Sequence, residues 1–301
     1  MDKLEAMSLL VKVAEVGSMS EVARQGKLPL TSISRKIADL EAQLGVRLLL
    51  RTTRKLTLTD AGIAYVANAR RILEEIDAVE RMAVGEYLQP KGELVITAPH
   101  MFGRRHVLPI VNAFLAAWPD ITVRLLLSDR NADLIDDHVD LAVRIGPLAD
   151  SSMVARAVGE MRSVTCGSPN LFARLGEPQT PQALMHYPCV TIDNPMPFNG
   201  WRYPHPVGLV PVKPRLAVTT PEAAADAAAA GTGIARLLHY QVTEALCEGR
   251  LKIVLANAEP PPVPVHLLHA SRGPMPLKLR EFIDFALPRL RETLLVIARS
   301  G

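Results

Sequence analysis

Five polar side chains stand close together near the start of the chain: Thr31, Ser32, Ser34, Arg35 and Lys36. Short hydroxyls make single hydrogen bonds to phosphate oxygens or base edges, and a guanidinium or ammonium group pairs with phosphate or with guanine. A second cationic group, Arg51, Arg54 and Lys55, follows shortly after. Between Arg24 and Lys55 there are eight cations against two acids, whereas Asp60 to Glu86 carries six acids against three cations. The chain as a whole has a formal charge of only +3. The positive charge is therefore local, and it marks a segment suited to binding phosphate. Other chemistry is scarce. There is no Walker sequence, HExxH or GxSxG, and Gly231-Thr232-Gly233 lacks the third glycine of a dinucleotide fingerprint. Cys166, Cys189 and Cys247 form no CxxC pair. They read as reduced, partly buried thiols, with a redox-sensing cysteine as the alternative. No catalytic residues, cofactor or metal are expected.

The elements that must position the polar group follow from periodicity. Ile33, Ile37, Leu40 and Leu44 recur at helical spacing and Gly45 follows as a stop. The polar group then occupies the first turns of an amphipathic helix, which suits entry into a DNA groove. Before it, Leu4 to Val16 reads as a helix ended by Gly17, and Ser18 to Glu21 matches a capping box for a short helix to Gln25. Gly26 and Lys27 make the turn of a helix-turn-helix. After it, the runs 46–50 and 56–58 flank a cationic tip and read as a hairpin, or wing, with a solvated loop as the alternative. Thr59 caps a long helix reaching about Leu88, in which Tyr65, Ala69, Ile72, Ile76, Val79 and Ala83 form a coiled-coil seam. Dimerisation is the expected use of that seam, and packing against its own chain the alternative.

Gln89-Pro90-Lys91-Gly92 breaks the pattern and reads as a hinge. Beyond it strands and helices alternate, as in an α/β domain with a mostly parallel sheet. Strands are expected at 93–97, 121–127, 140–145, 162–166, near 188–192, within 207–218, at 233–236, after Leu251 and at 265–270. Helices are expected at 104–118, 132–139, from Ser168, at 221–230 and at 277–295. Trp201 and Tyr203 read as surface packing in a proline-rich loop. The N-terminus has no secretory signal and no run is long enough to span a membrane, so the expected location is cytoplasmic.

The residues of the first third resemble the LysR-type transcriptional regulators. The resemblance is carried by Leu4-Glu5-Ala6-Met7, Gly17-Ser18-Met19-Ser20, the run Ser34 to Glu41, Leu44 to Leu49, and Arg51 to Gly62. Val143-Arg144-Ile145-Gly146, Gly167-Ser168-Pro169, Gly231 to Ala235 and Lys278 to Ile283 extend it more loosely through the body. It implies an α/β multidomain regulator: a winged helix-turn-helix over 1–58, a linker and dimerisation helix with its hinge over 59–90, and an effector-binding domain over 91–301 like periplasmic solute-binding proteins. Lobe I would comprise 91–161 and 266–301, and lobe II 162–265. The implied partners are double-stranded DNA at a promoter or operator, a small-molecule effector, and copies of the same chain in a homotetramer built as a dimer of dimers. The family commonly has Ser or Thr and then Gln where this chain has Pro29 and Leu30. Thr31 is then a candidate cap, with the helix starting late, and readout shifts toward Thr31 to Lys36.

Ligands in two-lobed bodies sit beyond the carboxyl ends of strands and near helix N-termini. Candidate effector contacts are Pro99, His100, Met101 and Phe102 after the first strand, Ser128 after the second, Arg144 at a strand end, and Thr219 and Thr220 before the alanine-rich helix. These positions favour a small anion. The alternatives are a structural His100 and an Arg144 that braces its lobe. The rivals for the whole chain are a small-molecule-binding protein and an enzyme carrying a DNA-binding appendage.

Overall fold

The computed structural model describes residues 2–51, 56–83, 89–129, 139–148, 153–193, 200–270 and 275–300. They fall into two units, Met1–Gly92 and Glu93–Gly301.

In the first unit, α1 (Lys3–Val16) is capped by Asp2, whose carboxylate accepts from the N–H of Leu4 at 3.0 Å and of Glu5 at 3.3 Å. Gly17 ends it with φ 72°. Ser18 caps α2 (Met19–Gln25) through the Glu21 N–H. The expected capping box is filled on that side, while the Glu21 carboxylate turns to Arg24 and Gln25. The left-handed conformation of the following turn falls on Lys27, at φ 51°, rather than on Gly26. α3 (Leu30–Leu44) begins directly after Pro29, so Thr31 lies inside the helix and is not its cap. Pro29 supplies no side-chain bond, but its fixed φ suits the entry and its carbonyl accepts from Ser32 at 3.0 Å. Ile33, Ile37 and Leu40 are fully buried, contributing about 1.5–3 kcal/mol each. Leu44, the last residue of the helix, is exposed.

β1 (Leu49–Arg51) and β2 (Leu56–Leu58) pair antiparallel. The start of this hairpin is tied to α3: Glu41 accepts from the N–H of Leu48 at 2.7 Å and of Leu49 at 2.9 Å. Thr59 fastens the other end, donating to the Arg47 carbonyl and accepting from Gly62 N–H. Helix α4 (Asp60–Ala83) then passes so close to the hairpin that a Cβ on Gly62 would lie 2.0 Å from the Leu48 carbonyl oxygen. The seam of α4 divides along its length. Val66 and Ala69 are buried in the core that α1 and α3 also build, and Arg70 pairs with Glu15 of α1 at 2.9 Å. Farther along the seam, Ile72 and Val79 are 36% and 58% exposed.

The second unit holds two five-stranded sheets. The first has the order β4 (Ile121–Leu127), β3 (Gly92–Ala98), β5 (Leu141–Ile145), β14 (Val263–Ala270), β6 (Met153–Met161). The second has the order β11 (Lys213–Val218), β8 (Pro188–Ile192), β12 (Ile234–Leu238), β7 (Ser163–Gly167), β13 (Lys252–Val254). Both are mixed rather than mostly parallel. β3 runs parallel to β5, but β14 runs antiparallel to β5 and β6; β8 runs parallel to β11 and β12, but β7 runs antiparallel to β12 and β13. The reason is topological: the chain crosses from the first sheet at β6 and returns to it at β14, so each crossing strand enters from the opposite end. Arg162 and Glu259, at the two crossings, clasp each other through two hydrogen bonds of 3.0 and 2.9 Å.

A helical run opens with α5 (His100–Phe102), passes through a π-helical turn (Gly103–Val107) and continues as α6 (Leu108–Ala117). It starts four residues before the expected Arg104. The expected helix at 132–139 lies outside the described residues as far as residue 138, and Val139 itself is not helical. Helices α7 (Pro169–Leu175), α8 (Pro221–Ala229), α9 (His239–Cys247) and α10 (Leu277–Arg299) complete the unit. α9 and β6 were not expected from the sequence. The hairpin of β9 (Trp201–Tyr203) and β10 (Gly208–Val210) corrects a further expectation, because Trp201 and Tyr203 are buried in the second lobe's core rather than packed on its surface.

Candidate functional site

The first unit builds its candidate surface on α3. With the Ile33, Ile37 and Leu40 edge sealed in the core, Thr31 and Arg35 stand exposed and Ser32 and Ser34 half-buried. Lys36 departs from expectation: its ammonium forms an ion pair with Glu5 of α1, so its charge is committed within the unit. Arg54 and Lys55, together with the Arg51 side chain, lie outside the described residues. Arg35 has no such internal ion pair among the described residues.

The second unit brings several separated candidates together. His100, at the start of α5, donates its backbone N–H to Asp129 at 3.0 Å, just after β4. Its Nδ1 lies 3.7 Å from Glu222 in the first turn of α8. Thr220 caps α8 by accepting from Ala223 N–H at 3.3 Å, and Thr219 is exposed beside it. Ser128 N–H donates to the Ala98 carbonyl, holding the ends of β3 and β4 together. Arg144 is half-buried. Burial lowers its pKa, Asp129 works in the opposite direction, and its Nη2 has no hydrogen-bond partner among the described residues. A buried guanidinium nitrogen without a partner is costly, and it is an open position for an acceptor.

Two candidates are corrected. Met101 and Phe102 are buried in the first lobe's core and present no surface to a ligand. Helical periodicity turns them inward once the helix starts at His100, leaving His100 exposed and Pro99 half-buried. Phe102 instead packs edge-on against Tyr240 of α9, with ring centroids 5.2 Å apart, and His106 completes the cluster. Burial there, followed by the charge of Arg105, lowers the His106 pKa to about 4. Arg105 also pairs with Glu244 of α9 at 2.8 Å. The alternative of a redox-sensing cysteine loses two of its three residues: burial pushes the thiols of Cys166 and Cys189 up to about 12, far from the reactive thiolate.

A cavity of about 330 Å³ in the second lobe went unseen in the sequence. It is lined by Ser163, Val190, Ile192, Gly200, Trp201, Arg202 and Arg236. The Arg236 guanidinium donates to the Arg202 carbonyl at 2.6 Å and lies 4.6 Å from the centre of the Tyr203 ring. Burial lowers its pKa, partly offset by Tyr203 and Glu259. The one available signal was the Trp-Arg-Tyr run of alternating aromatics, a short strand facing a core with every second residue.

Comparison with known proteins agrees with both units. The bacterial regulatory helix-turn-helix model of the lysR family matches residues 4–63, and the LysR substrate binding domain model matches residues 88–291. An HTH-type transcriptional regulator of Xanthomonas campestris pv. campestris is 33% identical, over 94% of this chain and 84% of its own length. The Escherichia coli regulator YhjC is 32% identical over 98% of this chain and all of its own. The structure of CrgA, a LysR-type transcriptional regulator from Neisseria meningitidis, is similar with a TM-score of 0.61, 31% identity and coverage of 95% of this chain and 98% of the other. A helix-turn-helix unit with a cationic hairpin, followed by a two-sheet ligand-binding body, is thus matched along nearly the whole length, and the chain belongs to the LysR family of transcriptional regulators.

Proposed function

We propose that this LysR-type regulator holds operator DNA through α3 and the hairpin after it, and that its second unit takes a small anionic effector. The DNA contacts assigned are Thr31, Ser32, Ser34 and Arg35 on α3, with Arg51, Arg54 and Lys55 from the hairpin region. Lys36 takes a lesser part because of Glu5. Two copies present two such helices to successive major grooves, and a dimer of dimers extends the contact. The exposed Ile72 and Val79, seven residues apart on one face of the helix, support α4 as the dimer seam over part of its length. The protein works in the cytoplasm, without catalysis. Domain boundaries near residues 58, 90 and 161 and a second lobe ending near 265 fit this division of labour.

The observation that carries the effector reading is Arg144, a half-buried guanidinium with a nitrogen that has no partner among the described residues. His100, Pro99, Ser128, Thr219 and Thr220 surround the same region as secondary contacts, while Arg236, with Trp201 and Ser163, lines the separate cavity of the second lobe. Asp129 and Glu222 set the size of the anion, because a single carboxylate meets less repulsion from them than a di- or tricarboxylate. Calorimetric titration with a panel of small mono- and dicarboxylates tests the reading. It predicts heat with at least one monocarboxylate, lost in Arg144→Met. Absence of heat with every acid, or heat unchanged in Arg144→Met, contradicts it.

A further inference from the structure

The tip of α3 is apolar and uncovered. Leu30, the first residue of the helix, is 47% exposed, and Leu28 is 38% exposed. Neither belongs to the described core of the first unit or to the partly buried residues packed on it. Pro29 between them makes no side-chain capping bond. The entry to the helix therefore offers hydrocarbon where a hydroxyl or amide would offer donors and acceptors. Leu30 heads the stripe that Ile33 and Ile37 continue, but as the first residue of the helix it stands beyond the sealed part of that stripe and is left exposed, with Ser34 one turn on beside it and Thr31 and Arg35 farther round the same exposed side.

A helix that enters a major groove N-terminus first sets its first residues against base edges. Leucine can neither donate nor accept a hydrogen bond. The one base-edge feature it complements is the 5-methyl group of thymine, and polar edges pressed against it would be left without partners. Resting on the reading of α3 as the groove helix, we propose that Leu30 is a specificity-determining residue that reads the 5-methyl group of one thymine in each operator half-site. Thr31, Ser34 and Arg35 supply the polar contacts beside it.

The full chain is used to select a duplex from a randomised pool. Each thymine of that duplex is then replaced singly by deoxyuridine, which removes the methyl group and leaves base pairing intact, and binding is followed by fluorescence anisotropy at fixed salt. Wild type is expected to lose about fourfold in affinity at one thymine per half-site, the size of one buried methyl-sized group. Leu30→Ala is expected to bind the thymine and uracil duplexes equally at that position. The proposal is overturned if wild type tolerates every uracil, or if the sensitive thymine stays sensitive in Leu30→Ala. The wild-type scan decides by itself should the variant melt differently from the parent. Arg35→Ala on the same duplex separates the two levels. Unchanged affinity sinks the α3 reading and the proposal with it, whereas weakened affinity together with tolerated uracil sinks the role of Leu30 alone.

Discussion

Arg35 projects from α3 into solvent, whereas Arg144 sits near the carboxyl end of β5 with its pKa lowered by burial and one nitrogen without a partner among the described residues. The two positions are suited to different ligands. A solvated cation on a convex helix gains from a polyanion mainly by releasing counterions, so its contribution is strong at low salt and weakens as salt rises. A half-buried cation has already lost part of its hydration in the folded protein. A small anion that reaches it meets a stronger field than in water and is screened less. Arg35 therefore stands without an ion pair among the described residues, although its neighbour Lys36 is held by Glu5, whereas Arg144 and Arg236 of the second unit have Asp129, Tyr203 and the Arg202 carbonyl as neighbours.

The largest test of this contrast removes one unit and spares the other. Gly62→Val drives side-chain carbon into the Leu48 carbonyl, where even a Cβ would stand at 2.0 Å. The clash is with backbone, so the first unit is expected to lose about 3 kcal/mol or more and DNA binding with it. The thermal transition of the second unit should stay in place; a common shift of both transitions would join what the contrast separates. Arg35→Ala comes next. It should weaken duplex binding about tenfold at low salt with an unchanged melting temperature, and reduce the slope of log affinity against log salt by about one if the partner is phosphate.

A pH series sharpens the second unit's side of the comparison. His106 is neutral in the fold down to about pH 4, against an ordinary value of 6.5. Between about 6.5 and 4 the unfolded chain takes up a proton that the folded chain does not, so stability falls with pH through that window and levels off below it. After allowance for screening, the loss is on the order of 1–2 kcal/mol. His106→Phe should flatten much of that slope, leaving the part due to His239, whose pKa burial also lowers. An unaltered slope in chemical denaturation would contradict it. The smallest effect is expected from Arg144→Met. Replacing a guanidinium whose Nη2 has no partner among the described residues should change stability by less than about 1 kcal/mol, in either direction. A structural brace would instead cost about 2 kcal/mol or more, read from the same denaturation curves.

Legibility in the sequence followed the same division. In the first unit contacts are local, and Ile33, Ile37 and Leu40 declared their face through spacing alone. The Pro29 entry was missed because a helix can start after a residue that fixes φ without any capping side chain. In the second unit α9 buries His239, Tyr240 and Gln241, so polar types occupy its inner face and no apolar stripe was visible. β6 lies at a sheet edge, with irregular burial that gives no strict alternation. His100, Asp129 and Glu222 meet only through the fold, from three separate stretches; the helix-start and strand-end positions were readable, but the acids that face His100 were not. Lys36 looked like a DNA contact because its type is right, and only the position of Glu5 on α1 shows where the charge goes.

Arg35 and Arg144 carry separate duties in separate units, and a crossed pair of assays tests that separation most directly. Wild type, Arg35→Ala and Arg144→Met are each measured for duplex binding by anisotropy, with no acid present, and for heat on titration with the monocarboxylate that wild type binds. Arg35→Ala should lose duplex affinity and keep the heat, while Arg144→Met keeps duplex affinity and loses the heat. The account is contradicted if Arg144→Met weakens duplex binding as much as Arg35→Ala does, or if Arg35→Ala abolishes the heat.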